Sequence, residues 1–92
     1  MKTFADAKFS VMTHPAGICG KIMLDDNGLE ISIAMNEMTY GGRNGLWEVA
    51  VFDSKGQLNL DCLEHDVLGY LDFNQLEEKI IEIQKELSSN AI

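Results

Sequence analysis

A hairpin signal in the first third of the chain constrains the fold more than any other feature. Two apolar stretches, residues 21–25 and 29–35, flank the turn residues Asn27 and Gly28. An Asn-Gly pair between apolar stretches is a strong hairpin signal, because both residues tolerate the positive φ angles of a tight turn. The second stretch alternates apolar with smaller or polar residues, which is the period of a strand with one buried face. Its apolar members are Leu29, Ile31, Ile33 and Met35.

Three further stretches have the composition of strands, namely residues 4–13, 46–52 and 57–60. The second of them places alternate bulky apolar side chains on one face, which is the strongest strand pattern of the three. Glycine-rich residues 40–45 before it are expected to form a flexible connection. Residues 61–70 are ambiguous and have room for one helical turn.

The chain ends in a segment with the pattern of an amphipathic helix. Asp72 and Gln75 have the spacing of a capping box, in which each side chain accepts a hydrogen bond from the backbone of the other residue. The apolar residues that follow recur at three- and four-residue steps. They are Phe73, Leu76, Ile80, Ile83 and Leu87. We therefore expect this helix to pack on the sheet, with residues 88–92 frayed.

These elements predict one α+β domain over residues 1–92, with a four- to five-stranded antiparallel sheet packed by a C-terminal α-helix. The length of 92 residues suits one domain and is too short for two. Hydrophobic residues make up 46 % of the chain and charged residues 24 %, which is the range of globular proteins rather than of disordered ones.

Fifteen acidic residues against seven basic ones give a net charge of -8. An excess of this kind repels free nucleic acid and membrane surfaces and attracts basic protein surfaces. We find no catalytic signature among the acidic residues, so we expect a binding protein that is not an enzyme. The first residues lack the apolar core of a signal peptide, and we expect the protein to stay in the cytosol with reduced thiols.

Two cysteines and two histidines leave one alternative open. His14, Cys19, Cys62 and His65 could form a structural zinc site, which would make this a small metal-stabilised or enzymatic domain. The separation of Cys62 and His65 suits zinc ligands, but the separation of His14 and Cys19 is longer than in paired zinc motifs. We therefore expect no metal and no cofactor.

Two groups of residues are candidates for contact with a protein partner. The first group gathers negative charge at the predicted hairpin and consists of Asp25, Asp26, Asn27 and Glu30. The second lies in and beside the glycine-rich loop, where aromatic and arginine side chains are typical of binding hot spots. It consists of Glu37, Tyr40, Arg43 and Asn44. The alternative is that both groups are ordinary solvated turns.

The whole chain resembles small phage proteins, and more specifically the type I-F anti-CRISPR proteins. The resemblance runs through residues 1–9 (MKTFADAKF), 45–51 (GLWEVAV) and 67–71 (VLGYL). It implies a phage-encoded inhibitor that evades host defence by binding the RNA-guided surveillance complex and stopping its capture of target DNA. The implied partners are the Cas subunits of that complex in the host bacterial cytoplasm, with contact to the guide RNA left open. The family shares no common motif, so the resemblance assigns no functional residue.

Overall fold

The computed structural model describes residues 1–14, 16–24, 29–52 and 67–90 of the chain, with the backbone alone for 87–90. Five strands form one antiparallel sheet in sequence order, and a C-terminal helix packs against it. The elements are β1 (Lys8–Thr13), β2 (Ala16–Leu24), β3 (Leu29–Asn36), β4 (Trp47–Phe52), β5 (Leu68–Leu71) and α1 (Phe73–Asn90). This architecture confirms the predicted α+β fold class.

The strands of the predicted hairpin pair as expected. Leu24 lies opposite Leu29 and Ile22 lies opposite Ile31, so the apolar residues of both strands share one face. The turn at residues 25–28 lies outside the described residues. Strand β2 is longer than the sequence pattern indicated, because it begins at Ala16, and its residues 16–21 pair with β1.

The core lies between one face of the sheet and α1. The helix contributes Leu76, Ile80 and Ile83, which have no exposed surface. Burying each such side chain is worth about 1.5–3 kcal/mol before ordering costs, so the predicted apolar stripe holds the helix on the sheet. The sheet contributes Ile22, Ile31, Ile33, Val49 and Val51, all fully buried.

The N-terminal stretch differs from the prediction. The expected strand over residues 4–13 begins only at Lys8, and Phe4–Asp6 forms a short 3₁₀ helix instead. The backbone N–H of Thr3 donates to the carboxylate of Asp6 at 2.7 Å, and that of Phe4 donates to Glu77 of α1 at 3.1 Å. These hydrogen bonds satisfy the backbone N–H groups of Thr3 and Phe4, so the two groups do not require acceptors on a neighbouring strand.

An aromatic cluster joins this N-terminal helix to the sheet and to α1. The ring of Phe4 lies 5.1 Å from Phe9, 5.5 Å from Trp47 and 5.1 Å from Phe73, measured between centroids. Phe73 was predicted to be a core residue, but it is 51 % exposed. As the first residue of α1, it reaches only the edge of the core, where its ring meets that of Phe4.

The start of α1 confirms the predicted capping box. The N–H of Gln75 donates to the Asp72 carboxylate at 2.8 Å, and the N–H of Asp72 donates to the Gln75 amide oxygen at 2.9 Å. The helix continues to Asn90, past the predicted onset of fraying. The predicted strand at 57–60 lies outside the described residues, whereas Leu68–Leu71, which begins in the ambiguous segment 61–70 and ends one residue beyond it, forms β5.

Candidate protein-binding surface

The loop of residues 37–46 connects β3 to β4 at one end of the sheet. Strand β5 ends at the same place, since Leu71 pairs with Trp47, the first residue of β4. The helix α1 begins just after Leu71, so loop, strand end and helix start meet at this end of the molecule.

This loop has more regular structure than a flexible connection. Asn36 is 8 % exposed, and its side-chain oxygen accepts a hydrogen bond from the N–H of Met38 at 2.8 Å. The N–H of Asn36 in turn donates to the hydroxyl of Thr39 at 3.0 Å. Farther along, Gly42–Asn44 forms a 3₁₀ helix. The side chain of Asn36 thus accepts a hydrogen bond from the backbone two residues later, in place of a backbone carbonyl. Asparagine is common in turns because it can make this bond.

The loop packs against β5 through two contacts, each between a glycine of one segment and a tyrosine of the other. The N–H of Tyr70 donates to the carbonyl oxygen of Tyr40 at 3.0 Å. A Cβ atom on Gly69 would collide with the Cβ of Tyr40 and lie 2.9 Å from its carbonyl oxygen. A Cβ on Gly41 would lie 3.0 Å from both the Cα and the ring of Tyr70. Each tyrosine therefore packs where the other segment has a glycine, and close approach requires glycine at both places.

Tyr70 has a left-handed backbone, with φ of 58°, and is the one non-glycine residue with positive φ in the described part of the chain. Such a conformation costs a non-glycine residue about 1–3 kcal/mol, and it persists only where the surroundings enforce it. The hydrogen bond to Tyr40 and the contact with Gly41 supply those surroundings. Strain of this kind is concentrated at functional sites.

Both tyrosines project into solvent. Tyr40 is 58 % exposed and Tyr70 is 60 % exposed, with ring centroids 6.4 Å apart and planes inclined by 32°. Met38, in the same loop, is 78 % exposed. We refer to Met38, Tyr40 and Tyr70 as the tyrosine surface. Tyrosine and methionine are both enriched at protein–protein interfaces, and tyrosine is frequent among hot-spot residues.

Charged groups border the tyrosine surface. The carboxylate of Glu48 on β4 accepts a hydrogen bond from the N–H of Tyr40 at 2.8 Å. Glu37 is exposed, and its carbonyl oxygen accepts a hydrogen bond from the Nε of Arg43 at 3.4 Å. Asn44 is also exposed. Of the predicted loop residues, Arg43 is thus joined to Glu37 by a hydrogen bond, and Tyr40 contacts Glu48 and Tyr70.

Glu30, the one member of the hairpin group that the structure describes, does not meet the loop group. Glu30 lies at the start of β3, whereas Glu37 follows the end of that strand. Seven residues of extended chain separate them by about 23 Å. Glu30 is also partly engaged, since its carboxylate lies 4.0 Å from the Nζ of Lys21. Asp25, Asp26 and Asn27 lie outside the described residues, so their part of the prediction is not tested.

Much of the negative charge also lies outside the described residues. Residues 25–28 and 53–66 contain six of the 15 acidic residues and one of the seven basic ones. The described residues alone are therefore only mildly acidic, and most of the net negative charge belongs to those two segments.

The alternative zinc set is divided in the same way. Cys62 and His65 lie outside the described residues. Cys19 is half-buried on β2, with its Sγ 4.0 Å from the hydroxyl of Ser32, and His14 is exposed. Within the described ranges, no three histidine, cysteine or acidic side chains come together in a way that could hold a metal ion.

Sequence reasoning missed Met38 and Tyr70. A weak signal for the second exists in the chain, because Tyr40-Gly41 and Gly69-Tyr70 are mirrored dipeptides. Paired glycine–tyrosine steps allow two backbones to approach with one ring on each side. The signal becomes readable only once β5 is known to lie beside the loop.

Comparisons of the chain with protein-family models, with curated proteins and with solved structures find no match. In the part of the chain that the structure describes, no helix has the length and apolar character needed to cross a membrane. Function is therefore inferred from the tyrosine surface, the charge and the sequence resemblance.

Proposed function

We propose that the protein is a noncatalytic inhibitor that binds the type I-F surveillance complex through a basic protein surface and blocks its binding to target DNA. The observation that carries the binding role is the tyrosine surface, where Tyr40 and Tyr70 are exposed yet held by backbone contacts. The identity of the partner comes from the resemblance of the chain to the type I-F anti-CRISPR proteins.

The construction of the tyrosine surface favours binding over a purely structural role. Tyrosine has few rotatable bonds, so it supplies contact area at a low cost in conformational entropy. The hydrogen-bonded loop lowers that cost further, because little of it has to be ordered when a partner docks. The left-handed backbone of Tyr70 does not stabilise the fold. In this proposal the conformation is retained because it keeps the Tyr70 ring exposed.

The charge favours a basic partner. With a net charge of -8, association with a positively charged surface is accelerated by long-range attraction. A surveillance complex holds its guide–target heteroduplex in a positively charged channel, which is a surface of this kind. The partners in this proposal are Cas subunits in the host bacterial cytoplasm, with contact to the guide RNA left open and with no role for free nucleic acid.

The two groups of predicted residues have different roles in this proposal. Glu37, Tyr40, Arg43 and Asn44 belong to the end of the molecule that contacts the partner. Glu30 lies at the opposite end of β3. The negative charges of Asp25, Asp26 and Glu30 speed association in this proposal, and the uncharged Asn27 belongs to the same group by its place in the sequence.

A pull-down from a bacterial host that expresses a type I-F complex tests the proposal. We expect the tagged full-length chain to capture Cas subunits, and to abolish binding of labelled target DNA to the purified complex. Capture should weaken markedly between about 0.1 and 0.5 M salt, because exposed charge pairs are screened. The matched control is the charge-reversed protein with Asp25→Lys and Asp26→Lys, which should associate more slowly. Failure of the wild-type chain to capture Cas subunits at low salt would refute the proposed partner.

A further inference from the structure

We propose that the Tyr40–Tyr70 pair is the docking point for an arginine or lysine side chain of the protein partner. This inference rests on the proposed function for the identity of that partner. The chemistry of the docked group is argued separately, from the rings and from the charges around them.

The two rings have the exposure and separation that a cation requires. The face of an aromatic ring attracts a cation that lies within about 6 Å of the ring centroid. The centroids of Tyr40 and Tyr70 are 6.4 Å apart, with planes inclined by 32°. A single cation above the pair can therefore lie within reach of both rings. More than half of the surface of each tyrosine is exposed, so the described residues leave the pair accessible to a partner side chain.

The acidic group beside the rings argues against an apolar occupant. Glu48 is held next to Tyr40 by the hydrogen bond from the Tyr40 N–H at 2.8 Å. An apolar partner packed on the rings would bury this carboxylate without a counter-charge, which is costly. An arginine or lysine side chain brings the counter-charge with it.

The basic residue of the loop does not offset this preference. The Nε of Arg43 donates to the carbonyl oxygen of Glu37 at 3.4 Å, which directs that guanidinium toward the beginning of the loop. Nucleic acid could also stack on tyrosine rings. Its phosphates, however, would be repelled by a chain with a net charge of -8.

Titration of the full-length protein with two short peptides tests the inference without the surveillance complex. One peptide alternates glycine with arginine, and the other replaces arginine by citrulline, which has nearly the same shape without the charge. We expect the arginine peptide to shift the amide NMR signals of residues 38–41 and 69–71, and the citrulline peptide to bind at least five-fold more weakly.

Conservative and non-conservative ring variants sharpen the test. Tyr40→Phe and Tyr70→Phe retain an aromatic face and should change the affinity for the arginine peptide less than two-fold. Tyr40→Leu and Tyr70→Leu retain apolar area only and should weaken binding about two- to five-fold each. The matched control is Phe73→Leu, which removes an exposed ring that contacts Phe4 and should leave peptide binding unchanged. Melting curves establish that each variant is folded.

Three results would overturn the inference. Equal binding of the two peptides would show that charge is not recognised. Leucine variants that bind as tightly as the wild type would show that the rings are not the docking point. Self-association that disappears in the leucine variants would assign the surface to a second copy of the chain. Because the pull-down measures capture of Cas subunits separately, a wrong partner and a wrong docking chemistry give different results.

Discussion

Two groups of aromatic residues in this protein are built in opposite ways. The cluster around Phe4 joins four elements, with ring centroids 5.1–5.5 Å from that of Phe4, and includes Trp47 at 8 % exposure. The Tyr40–Tyr70 pair has a wider centroid separation of 6.4 Å and is supported from below by glycines and backbone hydrogen bonds. The rings of the first group contribute to stability. The rings of the second group are exposed, and the backbone of Tyr70 is strained.

This difference separates stability from function within one small domain. Rings that bury apolar area contribute directly to the free energy of unfolding. Rings that remain exposed contribute little to it, so their fixed placement needs another reason. The proposed binding of a partner would provide that reason, and substitutions in the two groups should therefore affect different measurements.

The largest expected effect comes from Trp47, the buried member of the Phe4 cluster. Trp47→Ala should lower the free energy of unfolding by about 3–5 kcal/mol, because it removes a large buried ring and leaves a cavity. Tyr40→Ala is the matched control; its side chain is mostly exposed, and the cost should stay below about 1 kcal/mol. Urea denaturation of both variants checks the comparison. Similar losses of stability would mean that the tyrosine pair is part of the core.

An intermediate effect is expected where the loop meets β5. Gly69→Ala would push a methyl group against Tyr40 and should cost about 1–3 kcal/mol, since backbone rather than a flexible side chain must move. Gly45→Ala is the control, because Gly45 has φ of 75° but nothing within 4 Å of the added atom. That variant should cost only the strain of a left-handed alanine, about 1 kcal/mol. The prediction fails if thermal denaturation ranks Gly45→Ala as the more damaging change.

The smallest effect on stability is expected at the strained position. Tyr70→Gly removes the cost of the left-handed tyrosine, about 1–3 kcal/mol, but also loses the contacts of a largely exposed ring. We expect a melting temperature equal to or slightly above that of the wild type, together with weaker binding to the arginine peptide. A marked drop in melting temperature would assign Tyr70 a structural role like that of Phe4.

The elements that sequence reasoning predicted well are those determined by neighbouring residues. The strands around Asn27-Gly28 and the strand that begins near Trp47 follow from alternating apolar residues. The capping box of α1 follows from Asp72 and Gln75, which are three positions apart in the chain.

The parts that sequence reasoning missed depend on contacts between distant residues. Phe4 lies outside the sheet because its N–H donates a hydrogen bond to Glu77, which is 73 positions away in the chain. Tyr70 takes a left-handed backbone because Tyr40 and Gly41 lie beside it. The predicted binding residues were grouped by their place in the chain. The topology of β3 then put Glu30 at one end of the strand and Glu37 beyond the other.

Hydrogen–deuterium exchange tests most directly whether the protein binds its partner through the tyrosine surface. Exchange is compared between the chain alone and the chain bound to a purified type I-F surveillance complex. We predict strong added protection at residues 37–46 and 68–71 in the complex, and little change along residues 78–86 of α1. Protection confined to the helix, or to segments remote from Tyr40 and Tyr70, would contradict the assignment of the binding surface to the tyrosine pair.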